Sequence, residues 1–253
     1  MLQLDVPITS HATLPGGYEH LTLRAPAIAS RALPGQVLGI RPTFSEIDPL
    51  IRVPVPIADA DASAGTVTLI AKANPPFPRL RTGDILDVLG PVGRGWSLPA
   101  DVRNIMLIGT EDGAGALLFL ANVALKRSAN VALLLGASSD HPAFPTALIP
   151  PAVEYQFARG AEPIQALLEL VDPDLMRWAD ALYTTLPVDA YEGLADRIRA
   201  TRMRWTPGFA QGLVLPPMAC YVGICDACRV PAFRRTWRAC VDGPQCDLRD
   251  VVR

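Results

Sequence analysis

Four cysteines near the C-terminus are spaced Cys220-x4-Cys225-x2-Cys228-x11-Cys240, and no other feature restricts the fold and chemistry of the chain as strongly. All five cysteines lie after residue 219. A disulfide framework is usually spread through a small secreted domain. An odd number packed into one tail reads instead as metal binding in a reducing compartment. Met1 to Ser10 has neither a basic start nor a long apolar run, so no signal peptide is read there and a cytoplasmic location is expected. Three cysteines at x4 and x2 followed by a distant fourth is the plant-type [2Fe–2S] spacing. Such a cluster needs four thiolates on two irons. One tight loop wraps three of them, turns sharply and aims its amides at the sulfurs. Gly223 suits the turn, and small Ala219 and Ala227 let the backbone approach. The alternative is a four-cysteine zinc site, which more often joins two separated pairs. Cys246 is left over and reads as a buried free thiol.

The rest of the chain divides by pattern. Residues 1–97 are β-rich, with short apolar runs at Leu21–Leu23, Val37–Ile40, Thr66–Ile70 and Ile85–Val88 punctuated by Gly, Pro, Asn and Asp. A small antiparallel barrel or sandwich is expected there. Residues 98–210 change grammar. A buried strand at Asn104–Ile108 leads through a glycine-bearing turn to a helical pattern over Leu117–Leu125, and a second strand follows at Val131–Leu135. That is a parallel βαβ unit. Helices are expected at Ala161–Leu170 and Val188–Ala200, with a strand at Ala181–Tyr183 between them. Residues 211–253 are short, Cys-rich and irregular, too small to fold by burial alone, and a metal centre would supply the constraint.

Composition removes other classes. With 23 basic and 25 acidic residues there is no basic field for nucleic acid. No stretch approaches the roughly 20 apolar residues of a membrane helix. His11, His20 and His141 are scattered and read as surface or loop residues. Spacing singles out no serine–histidine–acid or paired-carboxylate arrangement, so the chain shows no complete active site of its own, and its chemistry would belong to its cofactors.

The tail Met218-Ala-Cys-Tyr-Val-Gly-Ile-Cys-Asp-Ala-Cys228, with Cys240-Val-Asp-Gly-Pro244, resembles the electron-transfer subunits of class 1B dihydroorotate dehydrogenase, in the ferredoxin–NADP reductase superfamily. That family reads M-x-C-G-x-G-x-C-x-x-C…C-x-D-G-P, with glycine where this chain has Tyr221. Gly90-Pro-Val-Gly-Arg-Gly-Trp96 is similar to the family's G-P-L-G-x-G-F, and Ile105–Ala121 resembles its nicotinamide-domain entry. The resemblance spans essentially the whole chain. It implies an FAD-binding barrel (1–97), a parallel-sheet α/β nicotinamide-binding-like domain (98–210) and a cluster tail (211–253). It implies a [2Fe–2S] cluster on Cys220, Cys225, Cys228 and Cys240, and FAD near Arg52, Pro54, Val55, Gly90, Pro91, Gly93, Gly95 and Trp96. The partner implied is a catalytic flavoprotein dehydrogenase subunit in a hetero-oligomer serving pyrimidine synthesis. Related subunits serve hydrogenases and other flavoprotein complexes, and a non-catalytic relative with a zinc tail is the reading from another class.

The departures are specific. The family's R-x-P-x-S is Arg52-Val-Pro54-Val-Pro56 here, so the hydroxyl is gone. Arg52 reads either as an FAD pyrophosphate partner or as a solvated strand-edge arginine. A later Gly-Thr is Ala73-Asn74. The family's G-G-G-I-G turn is Gly109-Thr-Glu-Asp-Gly113, which puts carboxylates where phosphates would sit. Its T-D-D-G-S has no counterpart near Phe157–Ile164, and its C-G-P is reduced to Pro187 of Thr184-Thr-Leu-Pro187. The second domain is therefore expected to keep its fold and to have lost most or all NAD(P) binding.

Overall fold

The computed structural model describes residues 1–43, 51–72, 77–139, 143–232 and 236–252. Six strands come first: β1 (Leu2–Leu14), β2 (Tyr18–Arg24), β3 (Val37–Pro42), β4 (Val53–Asp61), β5 (Thr66–Lys72) and β6 (Ile85–Val92), with a one-turn helix α1 (Pro26–Ala29) after β2. They close antiparallel in the order β1-β2-β5-β4-β3-β6, and β6 returns to β1 with Leu2 opposite Gly90 and Pro7 opposite Ile85. The side-chain period of two decides which face each residue serves. Leu38, Ile40, Val55, Ile57, Leu69, Leu86 and Val88 fill the barrel interior. Val37, the neighbour of Leu38, and Val92, which pairs with it beyond a register shift between β3 and β6, join a different core.

The second unit runs β7 (Asn104–Thr110), α2 (Ala114–Lys126), β8 (Asn130–Ser138), β9 (Val153–Gly160), α3 (Pro163–Leu170), α4 (Pro173–Trp178), β10 (Ala181–Thr184), α5 (Tyr191–Thr201) and β11 (Ala210–Leu213). Strands β7 to β11 are parallel. The run Ile105–Ile108 is apolar throughout because helices cover both faces of a parallel sheet. Ile105, Leu107, Val131 and Leu133 pack under α2, while Met106, Ile108, Leu134 and Leu182 pack toward α3, α4 and α5. Chain order reverses beside β7, with β8 on one side and β10 on the other. Ligands of open α/β sheets lie at the carboxyl ends of the strands at such a reversal.

The tail corrects one expectation. It is not irregular throughout: β12 (Arg229–Pro231) and β13 (Thr236–Arg238) form a ribbon, α6 (Ala239–Asp242) follows, and β14 (Gln245–Asp247) pairs antiparallel with β11 at the edge of the large sheet. Tyr221, Cys228, Trp237 and Cys240 share one apolar cluster with Val37 of the barrel and Met106 of the sheet. Burial against both neighbours supplies what so short a segment lacks by itself.

His11 and His20 also differ from expectation, since they lie within β1 and β2. His11 Nε2 is 2.6 Å from Glu19 Oε2 with both side chains buried. His141 and Ala73–Asn74 fall outside the described residues. Among the described residues, no helix is long and apolar enough to cross a membrane.

Candidate metal centre

The loop after β11 carries three of the four cysteines, and left-handed backbone makes it tight. Tyr221, Gly223 and Asp226 have φ of 59°, 77° and 57°. Only Gly223 takes that conformation without a steric penalty. A side chain at Gly223 would also strike Val241 Cγ2 at 2.6 Å, and Arg238 Nη1 donates to the Gly223 carbonyl at 2.7 Å. Residues 238 and 241 thereby hold the loop against α6, where Cys240 lies.

The turn points backbone amides at sulfur. Ile224 N donates to Cys220 Sγ at 3.4 Å. The amide of Cys225 first, with those of Val222 and Ile224 and the Cys225 side chain, holds the Cys220 thiol down at about 6. Cys228 Sγ and Cys240 Sγ lie 3.2 Å apart and buried. Burial first, then the neighbouring Cys228, pushes the Cys240 thiol up to about 12. Cys228 and Cys240 thus form one close buried pair, and Cys220 lies on the same loop as Cys228 under a backbone amide. Two sulfurs this close suit ligands that share one metal centre. Among the described residues, no group of three or more His, Cys, Asp or Glu side chains converges closely enough to hold a single metal ion. Cys246, on β14, stays apart from this group, and burial pushes its thiol up to about 12.

The residues expected near FAD flank β3. Pro54 pairs with Gly39 and Val55 with Leu38. Alternation turns the Val55 side chain into the barrel interior. Arg52 is not a solvated strand-edge arginine. Its side chain is 20% exposed, and Nη2 donates to Asp87 Oδ2 on β6 at 2.5 Å, with Nε buried and without a hydrogen-bond partner among the described residues. Asp87 also accepts from Arg41 and Gln3. Neither the sequence motif nor its spacing points to Asp87; a lone carboxylate inside the apolar run of β6 is the one hint. Gly90 packs on Leu38, and Gly93, at φ 91°, packs on Gly243 and Pro244. Gly95, at φ 79°, packs on Leu33. Trp96 is buried beside Gly35 and meets Tyr183 edge-on at 5.7 Å. An arginine with a spare donor beside an outward-facing strand pair fits an anionic group in part, and Pro56 adds no donor.

The crevice at the carboxyl ends of β7, β8, β10 and β11 has a volume of about 620 Å³. The turn after β7 leads into α2, where phosphates would need bare amides. Glu111 is buried there, 3.5 Å from Lys72 Nζ of the barrel, and Asp112 lies 3.4 Å from the same amine. Thr185 fills the space beside Gly109 and Gly113, so both glycines serve packing. Burial first, then Glu111 and Asp112, pushes the Tyr18 hydroxyl upward. These residues do not fit a dinucleotide pyrophosphate. Sequence reading marked Glu111 and Asp112 and quoted Thr185 only as part of the reduced C-G-P; it missed Lys72, which arrives from β5.

A closed antiparallel barrel leading into a parallel sheet with a switch-point crevice is the ferredoxin–NADP reductase type of fold. The structure of an NADH-dependent reduced ferredoxin–NADP oxidoreductase, described for flavin-based electron bifurcation, matches 97% of this chain and 89% of its own with a TM-score of 0.78 at 21% identity. Phthalate dioxygenase reductase, described as a modular structure for electron transfer from pyridine nucleotides to [2Fe–2S], matches 91% of this chain and 87% of its own with a TM-score of 0.62 at 14% identity. In sequence, the chain is similar over nearly its whole length to the electron transfer subunit of dihydroorotate dehydrogenase B (NAD(+)). The Geobacillus kaustophilus protein is 29% identical, over 92% of this chain and 91% of its own. The Listeria innocua protein is 24% identical over 96% of each. The resemblance seen in the sequence is borne out by these relatives. No family model matches the chain.

Proposed function

We propose that the chain is an electron-transfer subunit that carries a [2Fe–2S] cluster on Cys220, Cys225, Cys228 and Cys240, binds FAD at the barrel, and exchanges electrons with a catalytic flavoprotein dehydrogenase of the dihydroorotate-oxidising kind. The observation that carries it is the close Cys228–Cys240 thiol pair, with a loop amide donating to Cys220. The similarity to electron transfer subunits supports the partner. When bound, FAD exchanges electrons singly or in pairs and the cluster carries them singly.

The chain's own residues position and insulate. Cys228 and Cys240 are buried, which shields one side of the centre from water, while Cys225 is exposed. Val222, Ile224 and Val241 are exposed apolar side chains on the same loop and helix, so a partner can approach closely. Arg52 would face the FAD pyrophosphate, with Asp87 fixing its fork. Gly93 and Gly95 let residues 90–96 lie flat on the tail and on Leu33. The crevice that would take a nicotinamide is closed to phosphate by Glu111, Asp112 and Thr185, so the electrons come from or go to another donor or acceptor.

An anaerobic visible spectrum before and after dithionite, with iron and released flavin assayed on the same sample, tests this. Two irons per chain, bands that bleach and released FAD are expected. Zinc in a colourless protein would overturn the reading, and cluster bands without flavin would reduce the barrel to a scaffold.

A further inference from the structure

We infer that Tyr221 is a positioning residue that pins the cluster loop to the outer face of the barrel and so fixes Cys220 relative to the Arg52 strand; this rests on the reading proposed above. Tyr221 follows Cys220 directly and is buried. Its φ of 59° is left-handed, which disfavours any residue with a Cβ. Glycine would take this conformation freely, so the side chain must offset the strain. Two contacts do so. The Tyr221 hydroxyl donates to the backbone carbonyl of Arg52 at 3.0 Å. Its ring lies over Gly39 of β3 so closely that a Cβ there would meet Cζ at 2.6 Å, Cε1 at 2.8 Å and Oη at 2.9 Å. Gly39 sits between Pro54 on β4 and Leu89 on β6 in register. The ring therefore occupies a dimple in the face that presents Arg52 and Pro54, and only glycine at position 39 leaves that dimple open. One residue links the first cluster ligand to the backbone of the candidate flavin arginine. Changing a residue that orients a metal ligand from outside the ligand set typically costs about 10–100-fold in metal affinity.

The test uses the full-length chain purified anaerobically with its cluster, as wild type, Tyr221→Phe, Tyr221→Gly, Gly39→Ala and the Gly39→Ala/Tyr221→Gly pair. Iron loss to excess chelator is followed by bleaching, and the electron paramagnetic resonance spectrum of the dithionite-reduced protein is recorded. Tyr221→Gly and Gly39→Ala should each speed iron loss by about tenfold and broaden the spectrum, as loss of an orienting neighbour does. Tyr221→Phe keeps the ring over Gly39 and loses the hydroxyl bond to the Arg52 carbonyl, so its iron loss should fall between wild type and Tyr221→Gly. The double variant should lose iron no faster than Tyr221→Gly, because the methyl of residue 39 then has room. Equal rates for wild type and Tyr221→Gly, or effects of the two changes that multiply, would overturn the assignment. If the wild-type chain holds no iron, the reading proposed above fails separately. The anchor is then scored by limited proteolysis between Cys220 and Cys228. Faster cleavage in both single variants, with no further gain in the double, upholds it, and unchanged cleavage overturns it.

Discussion

Replacing Asp87 with asparagine removes one negative charge from a site that keeps its shape. Asp87 Oδ2 accepts from Arg52 at 2.5 Å and from Arg41 at 3.1 Å, and Oδ1 accepts from Gln3 Nε2 at 3.1 Å. The carboxylate is 7% exposed and the Arg52 side chain 20%, so water screens that bond little, whereas Arg41 at 37% is screened more. A hydrogen bond to a charged group contributes about 1.5–3 kcal/mol, and a screened surface pair about 0–1 kcal/mol. Together these come to about 3 kcal/mol. Asparagine can still accept one bond and relieves the burial of a charge, so the net loss of stability at neutral pH should be about 2 kcal/mol. Urea unfolding of both proteins reads it as a shift in midpoint at unchanged slope. Acid gives an internal check. Burial alone would raise the Asp87 carboxyl, but the Arg52 hydrogen bond and charge, with help from Gln3 and Arg41, outweigh it and hold the carboxyl below 3.8. A carboxyl depressed in the folded state stabilises fully above its unfolded value, and the contribution fades as pH falls through the folded one. The gap between wild type and Asp87→Asn should therefore be constant from neutral pH down to about pH 4 and close below it. A loss under about 0.5 kcal/mol, the scatter of ordinary surface changes, would refute the reasoning. So would a gap that acid leaves untouched.

Gly93→Ala puts a methyl against Pro244 and 2.7 Å from the Gly243 carbonyl at φ 91°, so strain and overpacking should destabilise the chain by about 2–4 kcal/mol in the same urea assay, and a loss below about 1 kcal/mol would contradict it. Calorimetric titration with NADH and with NADPH should give no saturable heat, and micromolar binding of either would mean that Glu111, Asp112 and Thr185 do not close the crevice. Cys246→Ser should keep the iron content of the wild type while Cys225→Ser loses it; equal loss in both would bring Cys246 into the ligand set. Because burial keeps the Cys246 thiol protonated at neutral pH, it should also react slowly with iodoacetamide in the folded chain, and rapid labelling would show that β14 opens.

Much of the candidate centre was legible because it is local. Three ligands lie within nine residues of one loop, so spacing alone limits which sulfurs a turn can gather, and Gly223 marks where it bends. The strand–turn–helix–strand from Asn104 to Ser138 was legible for the same reason, since each apolar run carries its own period. The long strand β1 and the strand β4 were not read. Met1 to Leu14 alternates weakly, and prolines at 54 and 56 interrupt the pattern of β4. Gln245–Asp247 reads as a loop until β11 offers it an edge to pair with.

By itself the sequence determined the thiol spacing, the order of barrel, sheet and tail, and the loss of the glycine-rich turn at Glu111 and Asp112, because these depend on residues adjacent in the chain. Only the tertiary structure decided what each charge and ring does. Closure of the barrel brings Asp87 to Arg52 across 35 residues, and docking of the tail brings Tyr221 to Arg52 across 169. A buried carboxylate or ring is held by whichever group the packed strands place beside it, and that choice is made by register and face, which no single stretch of sequence contains.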